Sequence, residues 1–93
     1  HQFDPTNDAL KRSDMPILAV EIISPSQGIE NILSKFKAYF ALGIKSCWMV
    51  IPTTKAVTVY ASSKVFDTFG TKNPEIIDET LGIHLQTQKI WGK

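Results

Sequence analysis

One cysteine in 93 residues, Cys47, excludes any disulfide within the chain, so packing and hydrogen bonds have to hold the fold. Its place in the apolar run from Cys47 to Ile51 makes it a small buried hydrophobe rather than a reactive thiol. A charge excess is missing too. Ten basic and nine acidic residues leave a net +1, so no global field announces a nucleic-acid partner, and any such contact must come from local groups. No apolar stretch approaches the roughly 18 residues needed to span a bilayer, and no secretory leader pattern is present. These absences lead to the expectation of a soluble cytoplasmic protein that uses no membrane. Repeats, low-complexity tracts and linkers are also lacking.

What is present is ordinary globular composition, 43% hydrophobic and 20% charged, which argues against disorder. The length allows one domain, residues 1–93, burying about 60 to 65% of its unfolded surface. The polar, turn-rich stretch from His1 to Ser13 lacks a start methionine, and the expectation is the C-terminal part of a longer domain.

The most informative residue is Glu21, a carboxylate inside the run Ile17, Leu18, Ala19, Val20, Glu21, Ile22, Ile23. That run reads as a central strand buried on both faces, opened by Pro16. A charge there costs several kcal/mol unless it is paired. A metal ion, a cationic side chain, or protonation of Glu21 at neutral pH would each satisfy it.

Ser24-Pro25-Ser26-Gln27 breaks the strand and reads as a capping box, with Ser24 or Ser26 as the cap. Ile29, Ile32, Leu33, Phe36 and Phe40 then form one helical stripe, which Gly43 stops. Ser46 to Ile51 is a second strand, so strand, helix and strand make a crossover with parallel strands. The turn Pro52-Thr53-Thr54-Lys55 leads into Ala56 to Tyr60, a hairpin partner expected to keep one solvated face. Lys64 to Phe69 and Glu75 to Glu79 are weaker strands, and the tail through Ile90 and Trp91 is a last strand with a closing turn.

Lys35 and Tyr39 lie one turn apart on one flank of the helical stripe, with Lys37 on the other. The short connection after the Glu21 strand can lay that flank over the strand end and bring the Lys35 ammonium to the carboxylate. The bland readings are a structural carboxylate satisfied by a buried lysine or by backbone amides for Glu21, a snorkelling lysine for Lys35, a half-buried packing tyrosine for Tyr39, and capping for Gln27. His1 and His84 are too isolated for a metal pair, and Trp48 and Trp91 are core aromatics. Lys45, Lys55, Lys64 and Lys72 are solvated turn charges.

The run from Pro16 through Glu21 to Ser26, then Lys35 and Tyr39, then Gly43-Ile44-Lys45-Ser46-Cys47-Trp48 leading to Val50 and Pro52, resembles the Uma-two family of restriction-endonuclease-like proteins in the PD-(D/E)xK superfamily. The resemblance is strongest over residues 15–60. It implies an α/β fold with a mixed β-sheet and flanking helix, a β-α-β-β core. It also implies a Mg²⁺- or Mn²⁺-dependent endonuclease acting on DNA, in which Glu21 and the Ile22 carbonyl bind the metal and Lys35 steadies water or phosphate. Tyr39 and Gln27 would support them. Hard oxygens suit Mg²⁺.

Two departures accompany the resemblance. Ile23 stands where the superfamily places its lysine, so Lys35 would supply the ammonium from the helix. The first metal-binding Asp of the family is expected upstream of the strand; Asp4, Asp8 and Asp14 lie in the polar leader and are not assigned to it. The chain alone is therefore expected to be inactive. The rival reading is a non-catalytic interaction domain that keeps the nuclease fold. The sequence leaves the oligomeric state open, a homodimer being one option.

Overall fold

The structure, a computed structural model, describes residues 16–24 and 26–92. Its elements are β1 (Leu18–Ile22), α1 (Ile29–Ala41), β2 (Ser46–Ile51), β3 (Ala56–Tyr60), β4 (Phe66–Phe69), β5 (Glu75–Asp78), β6 (Ile83–Gln86) and α2 (Gln88–Trp91). A four-stranded sheet runs in the order β1-β2-β3-β4, with β1 parallel to β2 and the other neighbours antiparallel, so the sheet is mixed. β5 and β6 form a separate antiparallel hairpin. The expected α/β architecture with a β-α-β-β core is present.

Strand alternation divides the core into two layers. Ala19, Cys47, Met49 and Tyr60 face one side and pack with Ile32, Phe36, Tyr39 and Ile44 of the helical segment. Trp48, Val50, Val57, Val59 and Phe69 face the other side, where Ile76 and the apolar residues of β6 and α2 cover them. The order through the domain is thus helix, sheet, hairpin. Central strand β2 is buried along nearly its whole length, as a strand covered on both faces should be.

Gly43 stops α1 through a Schellman arrangement. The Gly43 N–H donates to the Phe40 carbonyl and the Ile44 N–H to the Tyr39 carbonyl, while Gly43 takes a φ of 105° that suits glycine. Burial of Ile44 against the helix then anchors the start of β2.

Four expectations need correction. β1 is not buried on both faces: it is an edge strand of the described sheet, and Ile17, Val20 and Ile22 are 60%, 47% and 65% exposed. The hairpin layer reaches Leu18 but leaves Val20 and Ile22 uncovered. Neither Ser24 nor Ser26 caps the helix, because α1 begins one turn later with Gly28 at the N-cap and no side-chain cap. The Gln27 carboxamide oxygen instead accepts the Ser24 N–H at 3.4 Å within the preceding turn. The buried face of α1 is rotated, carrying Ile32, Phe36 and Tyr39 while Ile29 and Leu33 are exposed.

Lastly, β3 has no solvated face: Thr58 and Tyr60 are buried as well as Val57 and Val59, with Phe36 of α1 against Tyr60 and β4 paired alongside. Thr58 pairs with Thr68 across the strands at 3.0 Å, and the Tyr60 ring meets Phe36 edge-on at 5.3 Å. No helix of the described residues is long and apolar enough to cross a membrane.

Candidate functional site

β1 alternation turns Glu21 towards α1, beside Cys47 and Met49 of the neighbouring strand. The carboxylate is 8% exposed and would be costly unpaired. Two side chains one helical turn apart reach it. Tyr39 donates its hydroxyl to Oε2 at 2.9 Å, and the Lys35 ammonium lies 3.5 Å from Oε1. The helix flank inferred from the sequence therefore does meet the strand carboxylate. Lys37 points elsewhere and is exposed.

The two partners differ in character. Lys35 stays 44% exposed along its side chain, so its ammonium stands at the boundary with solvent. Tyr39 is 5% exposed and tilts against Phe36 within the core, more deeply set than the half-buried packing residue expected. Burial, with the Glu21 charge adding to it, pushes the Cys47 thiol up to about 12, so this cysteine is inert as a nucleophile at neutral pH.

The Ile22 carbonyl follows from the ladder. Ile23 donates its N–H to Val50 of β2, and the β1–β2 register is regular, so the backbone groups of Ile22, one residue earlier, point away from β2, to the edge of β1 that no other described strand pairs. A carboxylate oxygen and an adjacent outward carbonyl are hard donors of the kind Mg²⁺ takes. The donor set fits that ion in part. Among the described residues no group of three or more His, Cys, Asp or Glu converges on one point, and Asp4, Asp8 and Asp14 lie outside those residues. Gln27 sits in the turn after β1 and touches Ser24 rather than Glu21. His84 is exposed and pairs with Glu75 at 3.5 Å; His1 lies outside the described residues.

A second buried carboxylate escaped the sequence reading. Asp78, 1% exposed at the end of β5, accepts hydrogen bonds from Ser46 Oγ, from Trp48 Nε1 at 2.8 Å and from the Leu81 N–H at 3.0 Å. Burial alone would raise its pKa, but the hydrogen bonds from Ser46 and Trp48, with the Leu81 and Thr80 backbone, outweigh it and hold the carboxyl below the ordinary value. It lies on the hairpin side of β2, away from Glu21, and ties the hairpin to the sheet. A polar residue followed two places later by Trp on an apolar strand was a faint signal, but nothing local named the partner.

Comparison with known proteins follows the same line. Residues 3–88 match the Uma2 family, described as putative restriction endonuclease. A crystal structure from Anabaena variabilis, described as a putative nuclease belonging to DUF820, superposes with a TM-score of 0.67 at 18% identity. The match covers 81% of this chain and 43% of that one, so the matched part is less than half of that protein. At this identity the likeness speaks for the fold. A search of curated proteins finds no match. With nearly its whole length matched, the chain belongs to the Uma2 family.

Proposed function

We propose that this chain carries part of the active site of a Mg²⁺-dependent endonuclease that hydrolyses DNA phosphodiester bonds. The observation that carries the reading is the convergence of Glu21, Lys35 and Tyr39 from β1 and α1 in a chain of a restriction-endonuclease family. Glu21 Oε1 and the Ile22 carbonyl would hold the metal, with a further carboxylate coming from outside the described residues. When bound, Mg²⁺, or Mn²⁺ in its place, offsets charge on the scissile phosphate and lowers the pKa of its water.

The chain's own groups have distinct tasks. Tyr39 fixes the carboxylate by a buried, charge-assisted hydrogen bond, so Glu21 does not have to be ordered at the moment of reaction. Lys35 lies 3.5 Å from the carboxylate and presents three N–H donors at the solvent boundary, where a phosphate oxygen or the attacking water can be met. The ammonium comes from a helix instead of the strand position held by Ile23; what matters to the phosphate is where the charge ends up, not which element supplies it.

One observation favours a second reading, a non-catalytic interaction domain. Both Glu21 oxygens already have protein partners, and among the described residues no group of three or more His, Cys, Asp or Glu could hold a metal ion. Titration of Mn²⁺ into the full-length protein and its Glu21→Gln variant separates the two. Weaker binding in the variant supports the metal site; equal binding leaves Glu21 as a structural ion-pair partner.

A further inference from the structure

We propose that the groove between the β2–β3 turn and the loop after β4 grips the phosphodiester backbone of bound DNA, with Lys55 and Lys72 as its charged contacts. The inference rests on the endonuclease reading and adds a surface that positions the substrate. The Lys55 N–H closes the β2–β3 turn onto the Pro52 carbonyl at 3.2 Å, and Gly70 and Asn73 exchange backbone hydrogen bonds in a tight loop. The two loops touch: a methyl group added at Gly70 would lie 3.4 Å from the Lys55 carbonyl. Beside them lies an open groove of about 280 Å³ whose lining includes Thr54, Thr68, Thr71, Lys72 and Asn73 and no acidic residue.

Hydroxyls, a carboxamide and an ammonium all donate hydrogen bonds that a phosphate oxygen accepts. No hydrogen bond or ion pair engages the side chains of Thr54, Thr71, Lys72 or Asn73 among the described residues, while Thr68 meets Thr58 at 3.0 Å. The neighbouring acids are turned elsewhere. Strand alternation puts Asp67 on the other face of the sheet, and Glu75 pairs with His84 at 3.5 Å. Lys55 adds a second signal, as the one non-glycine residue with a positive φ, 53°, among the described residues. Glycine or asparagine suits that left-handed conformation better, so the turn carries a strained residue whose exposed side chain the fold does not use. Register relates the groove to the site: Glu21, Met49, Thr58 and Thr68 stand abreast across the four strands on one face. Three strand spacings of about 4.8 Å put Thr68 roughly 14 Å from Glu21. That is about four base-pair steps along one strand, so a single duplex can meet both.

Fluorescence anisotropy of a labelled DNA duplex titrated with the full-length protein in EDTA reads this contact apart from metal and cleavage. The logarithm of affinity falls with the logarithm of salt by about 0.9 for each phosphate neutralised. Over about 50 to 200 mM salt, Lys55→Asn and Lys72→Asn should each make that slope shallower by about 1, and the double variant by about 2. Lys64→Asn, which removes the same charge from the β3–β4 turn at the opposite end of the sheet, should leave the slope unchanged. Asparagine tolerates the left-handed turn, so Lys55→Asn should keep or exceed the wild-type melting temperature, which separates loss of the contact from loss of the fold. A slope unchanged in either groove variant, or made equally shallow by Lys64→Asn, overturns the proposal. Should Lys55→Asn fail to fold, Lys72→Asn against Lys64→Asn decides the matter alone. A wild type that binds no duplex even at low salt would instead remove the endonuclease reading beneath it.

Discussion

Replacing Asp78 with alanine should unfold much of what holds the hairpin layer to the sheet. The carboxylate is 1% exposed and accepts from Ser46 and Trp48, both buried, and from the Leu81 backbone. Hydrogen bonds to a charged group contribute roughly 1.5 to 3 kcal/mol each, and a buried donor left without its acceptor costs about 1 to 3 kcal/mol. Ser46 Oγ has a fallback in the Tyr60 carbonyl at 3.4 Å, so the Trp48 indole bears most of the loss. The expected cost of Asp78→Ala is therefore about 3 to 5 kcal/mol, against a total stability of roughly 5 to 14 kcal/mol for a domain of this length.

Equilibrium urea unfolding followed by far-ultraviolet circular dichroism at pH 7 measures it. Acid adds a second signature. Because the folded-state pKa is depressed below the unfolded one, the stabilisation is present above the unfolded value and is lost as pH falls through the folded value. The wild type should lose stability below the ordinary Asp value of 3.8, and Asp78→Ala should lose less over the same range. A loss under about 1 kcal/mol at pH 7 would refute the clamp, because it would mean the three donors find equivalent partners without the carboxylate.

The Cys47 thiol, raised to about 12 by burial and by the Glu21 charge, should resist alkylation by iodoacetamide at pH 8 in the native protein and react at once in urea; fast native labelling would contradict its burial. Since its folded pKa lies above the ordinary 9.0, it should also contribute to a decline in stability between pH 9.0 and about 12, which Cys47→Ala should lessen. Lys35→Met should change stability by no more than about 1 kcal/mol, as the ammonium is half exposed, whereas Tyr39→Phe should cost roughly 1.5 to 3 kcal/mol. Thermal unfolding of the two variants side by side checks the order, and a larger loss in Lys35→Met would reverse the roles assigned to them.

Local signals made the front half of the domain readable. An apolar run, a break, a 3.6-residue stripe and Gly43 specify β1, α1 and β2 in order, and the handedness and packing of a crossover then bring the Lys35 and Tyr39 flank onto Glu21. Sequence spacing could not show which parts of that unit other layers would cover. An apolar strand looks central whether or not a neighbour pairs with it, so the exposure of Val20 and Ile22 was illegible. Thr58 and Tyr60 looked solvated because their polar atoms suit water, yet the Tyr60 ring packs against Phe36 of α1 and the Thr58 hydroxyl pairs with Thr68 of β4. Asp78 was the least legible of all. Its partners Ser46 and Trp48 stand 32 and 30 positions away, and only the docking of β5 on the sheet joins them.

The most direct test of the endonuclease reading is plasmid nicking by the full-length protein with Mg²⁺ or Mn²⁺, compared with Glu21→Ala, Lys35→Ala and Lys37→Ala. Metal-dependent nicking should fall by about 10²-fold or more in each of the first two variants, in line with the loss of a charge aimed at the reacting phosphate, and stay nearly unchanged in Lys37→Ala on the opposite helix flank. A folded wild type without metal-dependent nicking on varied DNA and RNA substrates, or a Glu21→Ala protein that nicks at the wild-type rate, would contradict that reading.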